Sequence, residues 1–478
     1  MRTAEPARVV SGPLPTGASP AQPARVLGAG TVVMLIVGVV VGAGIFKAPS
    51  MVAGMAGTPG WMFAAWVLGG LVSLAGALCY AELATAYPHA GGDYHFLRRA
   101  FGRPIAFLFG WARFSVITTG SIALLGFVFG DYMQQVLPLF GDSRWGSTAY
   151  AAAAVLVLWA VNARGVVAGT SAQNWLTAVE VGGLLLLVVA SLWLVGGSAP
   201  AAAAAPEAGG SPPGLASFGL AMVFVLLTYG GWNEAAYLSA EMRRSRDMVR
   251  ALVLSIVVIT ALYLLVNWAY WRGLGMEGMA KSEALAADLM RVAFGRTGEQ
   301  LISVLVAVAA ITSMNATMIV GARTNYALGH DWPMLSRLAL WDGQRGSPAN
   351  AMLAQNVAAL LLVGLGAWAG GGFRAMVEFT APVFWLFFLL SGIALFVLRW
   401  REPATPRPYR VPLYPVLPLV FCGTCGYMLW SSLSYVHSQS IGGFNAAWIG
   451  VAVLALGGVL LLALHFHRAP AGAESTTT

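Results

Sequence analysis

Charged residues are scarce in this chain: Asp, Glu, Lys and Arg make up 10% of 478 residues, against about 25% in an average soluble domain. So little charge excludes a cytosolic enzyme and equally an extended disordered polymer. Cysteine is scarcer still, with only Cys79, Cys422 and Cys425, so a disulfide scaffold is excluded. Cys422 and Cys425 form a C-x-x-C, but no second pair or nearby His completes a metal site. All three lie in apolar stretches and read as small core hydrophobes. The alternating ten-residue pattern of an outer-membrane barrel is also missing. No ATP-binding motif or cofactor motif is present, so no cofactor and no metal are expected.

What fills the chain is apolar: 58% hydrophobic residues and 57 Gly, with a mean hydropathy of +0.73. A bilayer-spanning helix takes about 20 apolar residues. Continuous runs of that kind fall near 28–56, 60–86, 104–137, 147–163, 172–196, 216–240, 249–271, 298–327, 350–368, 375–398, 412–435 and 445–466. The expected fold is all-α, a polytopic membrane protein of twelve spans. Residues 1–24 are Pro-, Ala- and Gly-rich without periodicity and are expected to be disordered, as are 469–478. The first apolar run is too long for a cleaved signal core. Residues 197–214 read as a low-complexity outside linker; 273–297 carry mixed charge and are expected to form short helices over the outer mouth.

The net charge of +8 does not point to nucleic acid, because the basic residues sit in short clusters between the apolar runs. With twelve spans, nineteen Lys and Arg fall on the side of the two termini and seven on the other, with Arg113 inside the third run. That bias predicts both termini in the cytoplasm. Trp61, Trp66, Trp145 and Trp400 fall near expected interfaces and read as aromatic anchors.

Glycine placement carries the most information. The first run contains VVVGAGIFKAPS, with Gly42 and Gly44 in mid-helix, and the sixth contains LLTYGGWNEAAYLSAE, with Gly230 and Gly231 in its middle. Glycines there either let the helix unwind or permit close helix packing. Two such interruptions five helices apart point to an inverted repeat with a binding site at the breaks. Freed N–H groups near Gly42, Ala43 and Gly44 suit a carboxylate. Freed carbonyls near Tyr229 and Gly230 suit an ammonium. A zwitterionic amino acid fits both.

With these motifs the chain resembles the amino acid–polyamine–organocation superfamily of secondary transporters. The resemblance covers residues 25–465 and rests on an ordered set: VVGAGIF, YAELATAYPHAGGDYHFLRRAFG, TYGGWNEAAYLSAEMRR and RPYRVPLYPVLP. The sixth segment is most similar to light-chain amino-acid exchangers and their bacterial relatives. The resemblance implies a five-plus-five inverted repeat, residues 25–196 and 215–400, followed by two added helices within 401–468, and alternating access. It implies an integral protein of the bacterial inner membrane, not an enzyme. Backbone around Val40, Val41, Gly42, Ala43 and Gly44 would hold the substrate carboxylate. Backbone near Leu227, Tyr229, Gly230 and Gly231 would hold the amino group. Leu227, Trp232 and Asn233 would form the side-chain pocket.

Three positions depart from the family pattern. Leu227 stands where relatives often carry an aromatic gate. Glu180 stands where many carry a helix 5 lysine; an ionisable group inside a span is a functional hypothesis. It would carry a proton, or with Ser313 help hold sodium, or serve packing alone. Glu234 either faces the pocket and attracts a cationic substrate or pairs elsewhere in the protein. Ser313 and Asn315 either line an ion position or hydrogen-bond between helices. Glu82, Asp93, Arg98 and Arg99 either pair at an inner gate or face solvent.

The leading expectation is a secondary transporter of neutral amino acids coupled to protons. A cationic amino-acid or polyamine carrier, sodium coupling, exchange, and a non-transporting nutrient sensor are the alternatives. A channel and an intramembrane protease are disfavoured, the former by sparse polar spacing and the latter by the lack of a second membrane Asp. The expected partners are the small-molecule substrate, a coupling ion and lipid. No disulfide-linked heavy chain is expected, because the loop near 134–148 has no Cys.

Overall fold

The computed structural model describes residues 29–89, 91–141, 144–163, 181–193, 212–234, 236, 242, 244–340, 348–438 and 446–466. Among the described residues the regular elements are helices and there is no strand. In chain order they are α1 (Ala29–Val40), α2 (Ala48–Ala56), α3 (Pro59–Ala86), α4 (Gly92–Phe101), α5 (Arg103–Ala112), α6 (Thr119–Val136) and α7 (Arg144–Ala163). They continue with α8 (Val181–Trp193), α9 (Leu215–Thr228), α10 (Ser245–Lys281), α11 (Leu285–Asp331), α12 (Ala349–Ala369), α13 (Gly372–Arg401), α14 (Val416–Ser438) and α15 (Ala446–Phe466).

Nine described helical segments are long and apolar enough to cross a membrane. A tenth forms if Val32–Phe46 and Ala48–Ala56, which meet at 61°, count as one broken span. The shorter apolar helices α8 and α9 overlap parts of the fifth and sixth expected runs. The protein is an integral membrane protein, and its large exposed side chains agree with a lipid-facing surface: Leu71, Val157, Leu361 and Val459 are all more than half exposed. In water such a surface would aggregate.

Local chemistry sets several boundaries. Thr58 Oγ1 accepts the Trp61 N–H at 3.5 Å, and Pro59 opens α3. This is a side-chain cap with proline where its missing N–H costs nothing. The helix Arg103–Val136 continues from α5 into α6 through a π-turn at Arg113–Thr118. α10 breaks at Gly275 and α11 at Phe294–Gly295. Short helical pieces are therefore present within 273–297, as the end of α10 after Gly275 and the start of α11 before Phe294.

α6 packs against α7, α11, α12 and α13, while α3 packs on α10 and α13 on α14 and α15. With no water to expel between helices in lipid, close approach through small residues holds such contacts. A Cβ on Gly130 would lie 2.2 Å from the Ser147 carbonyl oxygen. The anchor expectation is corrected at Trp66. It is fully buried and packs edge-on to Tyr263, whereas Trp61, Trp145 and Trp400 are exposed.

Candidate substrate site at two helix breaks

α1 ends at Val40, and the chain passes through Val41 and Gly42 into a 3-10 turn, Ala43–Phe46, before α2 begins. The Val41 and Gly42 amides are already bonded to the carbonyls of Val37 (2.7 Å) and Val40 (2.9 Å). The expectation of a free amide at Gly42 is corrected accordingly. Ala43 and Gly44 open the 3-10 turn, and opening amides have no acceptor within their own turn.

α9 ends at Thr228, where Tyr229 N–H still donates to Val225 and Gly230 N–H to Leu227. Gly231 then takes φ +111°, a left-handed conformation that disfavours any Cβ. A Cβ there would also lie 2.9 Å from Val39 Cγ1. The chain continues in a short 3-10 turn through Trp232, Asn233 and Glu234. The two breaks touch, since a Cβ on Gly44 would lie 3.6 Å from the Thr228 side chain. Tyr263 of α10 joins them, its hydroxyl 2.9 Å from the Val40 carbonyl and 3.0 Å from that of Thr228.

Both breaks open on one cavity of about 440 Å³, a size suited to a small ligand. Val40, Gly42, Ala43 and Gly44 line it from the first break, and Leu227, Gly230, Gly231, Asn233 and Glu234 from the second. Ser313 and Thr317 of α11 add hydroxyls, and Phe384, Phe387 and Phe388 of α13 an aromatic wall. Four expected site residues do not line the cavity. Val41 and Tyr229 are fully buried, and the Tyr229 hydroxyl donates to the Trp66 carbonyl. Trp232 turns its ring behind the break onto Tyr80, Phe388 and Phe421, which corrects its place in the side-chain pocket. Asn315 accepts from Asn162 Nδ2 at 2.6 Å between α11 and α7, so it joins helices and does not face the cavity. Glu180 lies outside the described residues.

Glu234 is on the wall, and Arg113 Nη2 approaches its Oε1 at 3.3 Å. Asp93 of α4 also lines the cavity and accepts from Ser391 Oγ at 3.1 Å. Burial pushes the Asp93 carboxyl above the usual carboxylate range and the charge of Glu234 adds to this. Hydrogen bonds from Tyr80 and Ser391 and the charge of Arg113 oppose it. Sequence reasoning passed over Arg113, whose only signal was a lone arginine inside an apolar run.

Glu82 is buried against Arg399 (2.5 Å) and Arg407 (3.4 Å) and accepts the Val411 N–H at 2.6 Å. Arg99 binds Glu402 through Nε and Nη2 at 2.8 and 2.9 Å. These pairs tie α3 and α4 to the end of α13, which favours the paired over the solvated reading for Glu82 and Arg99. A second cavity, of about 950 Å³, is lined by Lys47, Asp131, Glu283, Arg291, Glu299 and Arg374. There the buried Lys47 ammonium contacts Asp131 at 2.7 Å and Glu283 at 2.6 Å. Phe373 lines both cavities. Among the described residues no group of three His, Cys, Asp or Glu could hold a metal ion.

Residues 27–459 match the family model described as amino acid permease. The chain belongs to that family. Its curated relatives include the human Large neutral amino acids transporter small subunit 2, 28% identical over 410 residues, covering 83% of this chain and 74% of the relative. Another is the mouse b(0,+)-type amino acid transporter 1, 28% identical over 396 residues, covering 81% and 78%. The rat protein of the latter name is 29% identical over 400 residues, covering 81% and 78%. The permease is thus an amino-acid transporter of the amino acid–polyamine–organocation superfamily and not an enzyme.

Proposed function

We propose that this permease is a secondary active transporter of neutral amino acids, moved by alternating access and coupled to protons. The observation that carries the reading is the meeting of two helix breaks at one cavity, held together by Tyr263. The substrate carboxylate lies against the opening amides of the Ala43–Phe46 turn, favoured by the N-terminal end of the turn and of α2. The ammonium lies against carbonyls at the end of α9, near Leu227 and Gly230. The substrate side chain extends between Leu227 and Asn233 toward the aromatic wall of α13. The relatives' names support the class, since one is called a large neutral amino acids transporter.

Glu180 is the proposed proton carrier; in the sodium alternative it would help hold the ion together with Ser313, which lines the cavity. The twelve-span count, the inverted repeats at 25–196 and 215–400, cytoplasmic termini and a bacterial inner-membrane location belong to the same proposal. So does function without a disulfide-linked heavy chain. One relative is named a small subunit, but this sequence has no Cys between 134 and 148.

A cationic reading draws on Glu234 at the wall, and the pairing of that carboxylate with Arg113 weighs against it. The test is uptake of an amino-acid and polyamine panel into proteoliposomes under an inward proton gradient, an inward sodium gradient, or neither. Neutral amino acids entering only with the proton gradient is the expected result. Sodium dependence, or uptake that needs internal substrate, would overturn the coupling. Binding without uptake would make the protein a sensor.

A further inference from the structure

The cavity wall is not simply apolar. Arg113 and Glu234 come from distant parts of the chain, 121 residues apart, and meet there at 3.3 Å. Their side chains are 15% and 39% exposed, and both line the cavity. Arg113 opens the π-turn Arg113–Thr118, the one place where the third span departs from α-helical geometry, and Thr118 from the same turn also reaches the cavity. π-turns within helices are concentrated at functional positions. Glu234 closes the short turn after the α9 break, its amide bonded to the Gly231 carbonyl at 3.0 Å. Each member of the pair is therefore presented to the cavity by an irregular piece of backbone.

We propose that Arg113 is a specificity-determining residue: its pairing with Glu234 cancels the charge of that carboxylate and restricts the site to amino acids whose side chains carry no net charge. The proposal rests on the reading of this cavity as the amino-acid site. A close ion pair has a weak far field, so a substrate side chain of either sign meets attraction and repulsion together. A polar uncharged side chain can still hydrogen-bond to either member. Removing one member leaves a unit charge facing a small cavity walled by protein, where screening is weak. Like charge is then rejected and opposite charge admitted. Asp93 does not replace this pair, because it is only 3% exposed and its carboxylate is held by Ser391 Oγ at 3.1 Å.

The test uses full-length protein in proteoliposomes. Uptake of a labelled neutral amino acid is measured against competing lysine, glutamate and leucine for wild type, Arg113→Gln, Glu234→Gln and the double variant. Arg113→Gln should raise the preference for lysine over leucine by about tenfold or more. Glu234→Gln should raise the preference for glutamate instead. The double variant should lose both gains. Arg113→Lys, which keeps the charge, should keep the wild-type ranking and stands in if Arg113→Gln does not fold. In that case an acidic shift in Glu234→Gln alone supports the proposal. Wild type that takes up leucine while Glu234→Gln retains the wild-type ranking overturns it and leaves the transport reading intact. Wild type that takes up nothing overturns the transport reading and this proposal with it.

Discussion

The Tyr263 hydroxyl lies 2.9 Å from the carbonyl oxygen of Val40, the last residue of α1. The Tyr263 hydroxyl also lies 3.0 Å from the carbonyl of Thr228, where α9 ends. One buried phenol thus joins the two breaks, and because it has a single proton it satisfies only one carbonyl fully at a time. Tyr263→Phe should leave a carbonyl short of its donor, at a cost of about 1–2 kcal/mol. The expected outcome is a modest fall in unfolding temperature with a clear rise in KM for substrate, read by thermal unfolding and uptake kinetics.

Gly231 tests the second break directly. Its φ of +111° and the 2.9 Å approach to Val39 leave no room for a methyl group. Gly231→Ala should add about 1–2 kcal/mol of backbone strain and push the break away from α1. Binding of any amino acid should be lost while the protein still elutes as a folded species on size exclusion. Undiminished binding would show that this break does not shape the site.

Lys47 follows the Ala43–Phe46 turn and is 2% exposed between Asp131 and Glu283. Breaking a buried pair from one side leaves an uncompensated charge, about 3–5 kcal/mol in comparable cases. Asp131, at 14% exposed, is the partner that matters; Glu283 is 77% exposed and screened by solvent. Lys47→Met should destabilise markedly, and adding Asp131→Asn should recover much of the loss. A double-mutant cycle by thermal unfolding checks the coupling.

How much of this was legible follows from where the partners lie in the chain. Continuous apolar runs marked the spans, and paired glycines marked both breaks, because both are local properties of the sequence. The facing of residues next to a break was not legible. Gly231 enters a left-handed conformation, so Trp232 turns onto Tyr80 and Phe421 while Asn233 and Glu234 face the cavity. Helical extrapolation cannot follow that turn. Lys47 carried no local signal of its role, because its partners Asp131 and Glu283 lie on distant segments of the chain. Arg113 acquires its meaning only from Glu234, which no periodicity links to it. Asn315 and Ser313 are two residues apart on one helix, yet one joins α7 and the other lines the cavity.

His95 supplies a pH dependence. Its ring stacks on His89 with centroids 4.2 Å apart. Burial, then the charges of His89, Arg99 and Arg98, push it down to about 4. Between that value and the ordinary 6.5 the unfolded chain binds more protons than the folded one, so this group makes stability fall as pH drops through that window. Asp93, with its carboxyl raised, works the other way: its contribution is present at low pH and lost as pH rises. The difference between wild type and His95→Gln isolates the histidine. The variant should lose less stability than wild type on acidification from pH about 6.5 to 4, measured by thermal unfolding across that range.

The central claim is that paired helix breaks hold the two ends of a zwitterion. The most direct measurement is competition against labelled leucine uptake by free leucine, its methyl ester and its N-acetyl derivative, in wild-type proteoliposomes. The account predicts that free leucine competes and that both blocked forms fail. The ester lacks the carboxylate for the Ala43–Phe46 turn, and the acetylated amine lacks the ammonium for the end of α9. Competition by either blocked form as strong as by leucine itself would contradict it.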